Sequence, residues 1–258
     1  MPSDIDRIAP TLRPAGRVAM RQRWADLLFL HWPVPVEAIR PLVPPSLEID
    51  TFDGVAYVGL VPFTMTGVRY AWAPAVPGTS RFHEVNVRTY VHFRSRDPGV
   101  WFFSLDAANA LAVRVARRSW GLPYHFARMD LDRSEGRIAY RSERLWPGPT
   151  PAGCDLAYAP EGTPTASRPG TLEHFLAERY ILYTKHRGRL YSGRVHHDPY
   201  PLRPARVLRL EESLLAAAGL PRPEGVAPLA HYASEVRVRV YPLRPVQDSS
   251  PSCEYPPE

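Results

Sequence analysis

Thirty prolines punctuate this chain of 258 residues, and few features limit a fold more strongly. An interior proline removes a backbone donor and breaks a helix at a cost of about 3 kcal/mol, so an all-helical bundle is excluded. Strands bounded by proline and glycine turns are the natural alternative. The apolar fraction of 45% suits a globular protein with one sizeable core or two small ones.

The strand signals run the length of the chain. WADLLFLHWPV (24–34) reads as a strand, and VEAIRPLVPPSLEI (36–49) as a short helix with an extended exit. GVAYVGLVPFTMTGVRY (54–70) predicts a long strand with a break near Pro62, EVNVRTYVHFRS (84–95) alternates cleanly, and GVWFFSLD (99–106) predicts a buried strand. AANALAVRVARRSW (107–120) is the clearest helix, with Leu111, Val115 and Ala116 close to one face. Gly121 is placed to end it and Pro123 to prevent its continuation.

YHFARMDLDR and RIAYRSERLW flank a glycine turn as a hairpin, and a second hairpin turns at Arg187-Gly188. Residues 148–170 predict a long loop containing a strand fragment near DLAYAP. TLEHFLAERY is a short helix capped by Thr171, EESLLAAAGL another, and HYASEVRVRVYPL (231–243) a final strand. The fold expected is mostly β (α+β): an antiparallel twisted sheet that curls or closes to remove its edges, with three or four short helices. Residues 1–19 read as an N-terminal extension, 20–245 as one domain and 246–258 as a flexible tail.

Composition sets aside several function classes. The net charge of +6 comes from 32 basic residues, of which Lys185 is the one lysine. The arginines are scattered among 26 acids without a like-charge block or a recognisable nucleic-acid module, so nucleic acid is not an expected partner. No stretch approaches 18 uncharged apolar residues, and the N-terminus lacks the apolar core of a signal peptide. A cytoplasmic chain with no membrane partner is expected, its Cys154 and Cys253 forming no disulfide scaffold. No metal and no cofactor is expected: HHDP (196–199) puts neighbouring histidines on opposite strand faces, and neither HExxH nor a phosphate loop is present. Ser104, Asp106 and His125 lack the GxSxG elbow that would support a triad.

The residues that remain cluster around one strand and one corner. In 84–91, alternation sets Glu84, Asn86, Arg88 and Tyr90 on one face and Val85, Val87, Thr89 and Val91 on the other. The valine face must meet a core, and the polar face meets water or a cavity. Arg117 and Arg118 end the helix before Trp120-Gly121-Leu122-Pro123, where they complement its dipole. Tyr124 and His125 leave the corner pointing opposite ways, so only one can enter a cavity. His125 titrates near neutrality and suits acid–base work. Tyr124 is either a hydrogen-bond donor to a ligand or an aromatic wedge.

Three stretches together, 24–63, 82–91 and 102–129, resemble the YqjF-like family, and more distantly the acetoacetate-decarboxylase superfamily. The resemblance extends over roughly 20–245 and implies a sheet closed into a cone or barrel around an internal pocket, with helices outside. It implies that Glu84 occupies the place of a pocket glutamate and that Arg117 matches an arginine of the corner. The other pocket arginine aligns with Ala25, for which Arg23 on the same face is a substitute. Decarboxylases of this superfamily carry an imine-forming lysine just after the corner proline, whereas this chain has Tyr124 and His125. Decarboxylation through a Schiff base is therefore not expected. The expectation is a binding protein for a small organic acid or carbonyl compound, with Glu84, Tyr124 and His125 as reactive candidates and Arg23, Asn86, Arg88 and Arg117 as ligand contacts. The alternative is a non-covalent lyase, isomerase or hydrolase using Glu84 with His125 or Tyr124. Relatives with this fold are often oligomeric, so a homo-oligomer is compatible with the resemblance.

Overall fold

The computed structural model describes residues 5–74, 80–221 and 225–247. Among them, strands β1 (Met20–Val34), β3 (Ala56–Tyr70), β4 (Phe82–Phe93) and β5 (Arg96–Ala107) form a continuous run of neighbours. Short elements α1 (Val36–Ile39) and β2 (Glu48–Ile49) connect the first two, and β2 edges β4. Helix α2 (Ala110–Trp120) leads into β6 (Tyr124–Ser134), which forms the expected hairpin with β7 (Arg137–Trp146) through Glu135 and Gly136, both at positive φ. Beyond come β8 (Gly153–Pro160), α3 (Leu172–Ala177), the hairpin β9 (Ile181–His186) and β10 (Arg189–His196), β11 (Leu202–Glu212), α4 (Leu214–Ala217), β12 (Leu229–Val240) and β13 (Arg244–Pro245).

Pairing closes the sheet. From β5 the order runs β6, β7, β8, β11, β12, β1, β3, β4 and back to β5, a ring of nine strands with no free edge. The β9–β10 hairpin closes a second ring over the opposite face of β4, β3 and β1, since β9 pairs with β5 and β10 with β12. Strands β1, β3 and β4 are thus the wall shared by two compartments. That position explains why the sequence of β1 and β3 is apolar almost without alternation. Leu28, Leu30, Trp32, Val58 and Leu60 pack with Tyr140, Leu156 and Tyr158 on one side. Leu27, Phe29, Val61, Phe63 and Met65 pack with Val195, Val236 and Val238 on the other. A strand buried on both faces needs apolar residues at odd and even positions alike. Each such large side chain taken out of water contributes about 1.5–3 kcal/mol.

Several expectations need correction. The sheet is not wholly antiparallel: β5 pairs in parallel with β6 and with β9. Helix α2 carries the chain back between β5 and β6, which makes their parallel alignment possible. Strand β3 runs unbroken through Pro62. Opposite it, β1 holds one extra residue between the pairs Ala25–Thr64 and Leu30–Leu60, with Asp26 at φ 54, so the proline sits beside a bulge. Helix α2 starts at Ala110, capped by Asn109, and buries Val113 and Ala116 while Leu111 and Val115 are exposed. The strand fragment expected near DLAYAP is the full strand β8, whereas β11 has no counterpart among the strands expected from the sequence.

The N-terminal segment is not a loose appendage: Pro10 is buried and Arg7 pairs with buried Asp50. At the other end, Val246 N donates to Leu190 O at 2.9 Å. The rest of the expected tail, from 248 on, lies outside the described residues, as does Cys253. Cys154 is buried, and burial raises its thiol pKa.

Candidate active site

The polar face of β4 is turned inward. Its valines Val85 and Val87 join the compartment shared with β7 and β8. Glu84, Asn86 and Arg88 project into the other compartment, where they are only 2%, 5% and 8% exposed. They line a cavity of about 110 Å³ together with Trp24, Phe29, Phe63, Tyr124 and Tyr200, among others. The face that would ordinarily meet water is covered here by Leu182 and Val195 of the β9–β10 hairpin and by Trp120, Leu122 and Tyr124 at the corner after α2.

The corner after α2 supplies the facing group. Gly121 ends the helix in the left-handed region at φ 64, and a Cβ there would come within 2.8 Å of Lys185 O. Only glycine meets both demands cheaply. Leu105 N then donates to Pro123 O at 3.0 Å, which starts β6 beside β5 with Tyr124 opposite Leu105. From there the Tyr124 hydroxyl donates to Glu84 Oε2 at 2.9 Å. The backbone of Glu84 is held as well, its carbonyl accepting from Tyr140 Oη at 2.9 Å.

Burial dominates the electrostatics. It pushes the Glu84 carboxyl up to about 8, against a smaller opposing effect of the Tyr124 hydrogen bond and a further upward push from Asp106. The Tyr124 phenol rises well above its ordinary value, first by burial and then through Glu84. The Arg88 guanidinium donates through Nη2 to Leu176 O at 3.1 Å and lies over the Phe29 ring at 5.6 Å. Its Nε and the Asn86 Oδ1 are buried without a hydrogen-bond partner. Such orphaned polar atoms are costly and uncommon in native interiors.

Three anticipated residues lie elsewhere. His125 alternates with Tyr124 and turns away from the cavity, its Nδ1 donating to Pro147 O at 2.7 Å. Burial lowers its pKa, so it is neutral near pH 7. Arg23 sits between Gln22 and Trp24, which face the cavity, and therefore points outward to Glu235 at 3.4 Å. Arg117 grips the corner from outside, donating to Tyr124 O at 2.6 Å, with its guanidinium over Trp146. Gln22, Trp24, Trp120 and Tyr200 line the cavity without having been singled out. Alternation would have found the first two had β1 been begun at Met20 rather than Trp24. Lys185 is exposed on β9 and is not among the cavity-lining residues.

Two further features lie outside the cavity. Asp106 and Arg144 form a bidentate pair at 2.7 and 2.8 Å, both almost fully buried. On the outer surface, strand pairing gathers arginines that are apart in sequence: Arg21 faces Arg239 and Arg69, and Arg23 faces Arg237. Among the described residues, no three His, Cys, Asp or Glu side chains are grouped to hold a metal ion, and no helix is long and apolar enough to cross a membrane.

A ring of strands in one sheet with few short helices is an acetoacetate-decarboxylase-like fold, and solved structures bear this out. The chain superposes on the enduracididine biosynthesis enzyme MppR complexed with pyruvate with a TM-score of 0.61 at 14% identity, covering 91% of this chain and 93% of that one. An acetoacetate decarboxylase-like enzyme from Sphingomonas wittichii RW1 gives 0.60 at 13% identity, over 90% and 94% of the two chains. At such identities the likeness concerns the fold. The chain itself belongs to the DUF2071 family, described as "Uncharacterized conserved protein", whose profile matches residues 21–237. It is 41% identical over 231 residues to the "Uncharacterized protein YqjF" of Bacillus subtilis (strain 168), covering 90% of this chain and 94% of that protein.

Proposed function

We propose that this chain binds a small organic acid or carbonyl compound without forming a covalent bond to it. The observation that carries this reading is the Tyr124–Glu84 hydrogen bond on the wall of a buried cavity that also holds unpartnered polar atoms of Arg88 and Asn86. With a pKa of about 8, Glu84 is largely protonated at neutral pH. It can then donate its own proton to a ligand oxygen while accepting from Tyr124. Arg88 adds a cationic donor and Asn86 an acceptor, a set that fits a carboxylate or a carbonyl bearing a neighbouring hydroxyl.

An imine is not part of this reading. The single lysine, Lys185, is exposed on β9, and Tyr124 follows the corner where the resemblance implies the reactive lysine. A ketone would be held by hydrogen bonds alone. The structural neighbour solved with pyruvate adds support for a small oxo acid as the kind of ligand.

Calorimetric titration with pyruvate, acetoacetate and longer oxo acids tests the proposal. Binding is expected in the wild type and lost in Arg88→Met. In Glu84→Gln it should persist but lose its pH dependence near 8. A wild type that binds no acid or carbonyl compound of any length ends the proposal.

The raised carboxyl also favours a second reading, non-covalent acid–base catalysis of the lyase, isomerase or hydrolase type. A carboxyl titrating near neutrality is suited to proton transfer, and Tyr124 is within reach to share the proton. His125 takes no part, because its ring faces Pro147. Turnover of a bound compound that disappears in Glu84→Gln while binding remains would establish catalysis; binding without turnover leaves a binding protein.

A further inference from the structure

We infer that the ligand is an amphiphile: a carboxylate or oxo-acid head with an apolar tail. This rests on the binding reading above and goes further by naming what the remainder of the molecule must be. Glu84, Asn86 and Arg88 line the cavity along β4, with Tyr124 bonded to Glu84 and Gln22 contributed by β1, while most of the wall is aliphatic or aromatic, including Leu27, Phe29, Val61 and Phe63.

The head cavity is too small to be the whole site. At about 30 Å³ per water-sized group, its volume of about 110 Å³ holds about four non-hydrogen atoms. A second cavity of about 260 Å³ lies against it, with room for about nine more. Trp120, Leu122, Leu182 and Val240 line both. The far walls of the second cavity include Met20, Val115 and Leu243, and among the described residues Arg194 is the one charged side chain lining it. A third, smaller cavity of about 90 Å³ also borders the indole of Trp120 and the ring of Tyr124. Trp120, half-buried as the last residue of α2, therefore borders all three spaces.

The chemistry of these walls selects the occupant. Buried orphaned atoms on Arg88 and Asn86 call for a polar head, and the adjoining apolar volume calls for methylenes. A tail of roughly six to ten carbons fills it. Arg194, whose Nε is buried without a partner, and the unpartnered Tyr241 hydroxyl give that space one polar spot in an otherwise mostly apolar wall, so a longer polar molecule, such as a sugar acid or a peptide, would leave most of its hydroxyls or amides unpaired there.

Chain length is the measurement that tests this. The protein is titrated with straight-chain acids and 2-oxo acids of two to twelve carbons, each below its aggregation threshold. Kd is expected to fall about fourfold per added methylene, the equivalent of about 0.8 kcal/mol, and to level off near ten carbons. Val115 and Leu243 are at least partly exposed, so Val115→Glu and Leu243→Glu should fold. Either should weaken octanoate and 2-oxooctanoate at least tenfold and leave acetate, with its four non-hydrogen atoms, unchanged. Short acids that bind with no gain from added methylenes would overturn the tail and leave the binding reading intact. Long acids that bind equally well in Arg88→Met would overturn it too, since the head would then play no part. Failure of every acid at every length removes the binding reading itself.

Discussion

The phenol of Tyr124 meets Glu84 Oε2 at 2.9 Å across an interior in which the glutamate is 2% exposed. One end of this contact comes from a strand buried on both faces, the other from a corner that only glycine can turn. A carboxyl in such a place is kept neutral by desolvation more than by any single neighbour. Its one direct hydrogen-bond donor pulls the other way.

Stability should record this. Glu84 has a folded pKa of about 8 against an ordinary 4.5, so the folded state binds the proton more tightly than the unfolded chain. Its contribution is fully present below pH 4.5 and is lost as the pH rises through 8. Glu84→Gln cannot ionise. Relative to the wild type it should therefore gain stability between pH 5 and 8.5, by about 3–5 kcal/mol at the upper end. Urea unfolding of both proteins across that range measures the difference. A difference independent of pH would mean that Glu84 is solvated.

Removing the phenol should move the same titration in a known direction. The Tyr124 hydrogen bond favours the ionised carboxylate and so lowers the Glu84 pKa. Tyr124→Phe should raise it above 8, read by carbon NMR of the labelled carboxyl. A downward shift would show that the variant admits water to the cavity.

How much of this was legible in the sequence depends on which physical signal each residue carries. The strands of 24–34, 84–95 and 99–106 announced themselves by apolar content and alternation, and both hairpin turns by glycine. Glycine at 121 marked the helix end because a left-handed residue there has few substitutes. The polar face of 84–90 was visible, but alternation gives a face without saying what covers it. Closure of the ring decided that, and closure depends on pairings between β4, β5, β10 and β12 that no local pattern encodes. Strand β11 went unseen because its outward arginines and Pro204 weaken the apolar signal of LRPARVLRL. Arg23 follows from the alignment of a pocket arginine with Ala25, but Gln22 and Trp24 are the residues of β1 that line the cavity, and one position along a strand exchanges inside for outside. Arg117 and His125 were real neighbours of the corner, but both serve its backbone rather than the cavity.

The buried pair of Asp106 and Arg144 is a second test of the interior. Both side chains are at most 1% exposed and joined by two hydrogen bonds. Taking away one partner leaves the other charge without compensation, so Asp106→Leu and Arg144→Met should each cost about 3–5 kcal/mol. The double variant should lose less than either single one, because two apolar side chains need no partner. A double-mutant cycle in urea isolates the coupling. Additive losses would show that the pair is solvated or structurally independent.

On the outer surface the pairing of like charges leads to a prediction of opposite sign, a substitution that stabilises. Arg21 lies directly opposite Arg239 on β12 and Arg69 on β3. Like charges in such register repel, and opposite charges attract, by roughly 0.2–1 kcal/mol per pair. Arg21→Glu turns two repulsive contacts into attractive ones and should raise the melting temperature in low salt. Arg21→Gln, which only removes the repulsion, should fall between it and the wild type. At 1 M salt the screening length shrinks to about 3 Å and the three proteins should converge. Equal melting temperatures in low salt would mean that these guanidiniums are splayed into solvent, beyond one another's field.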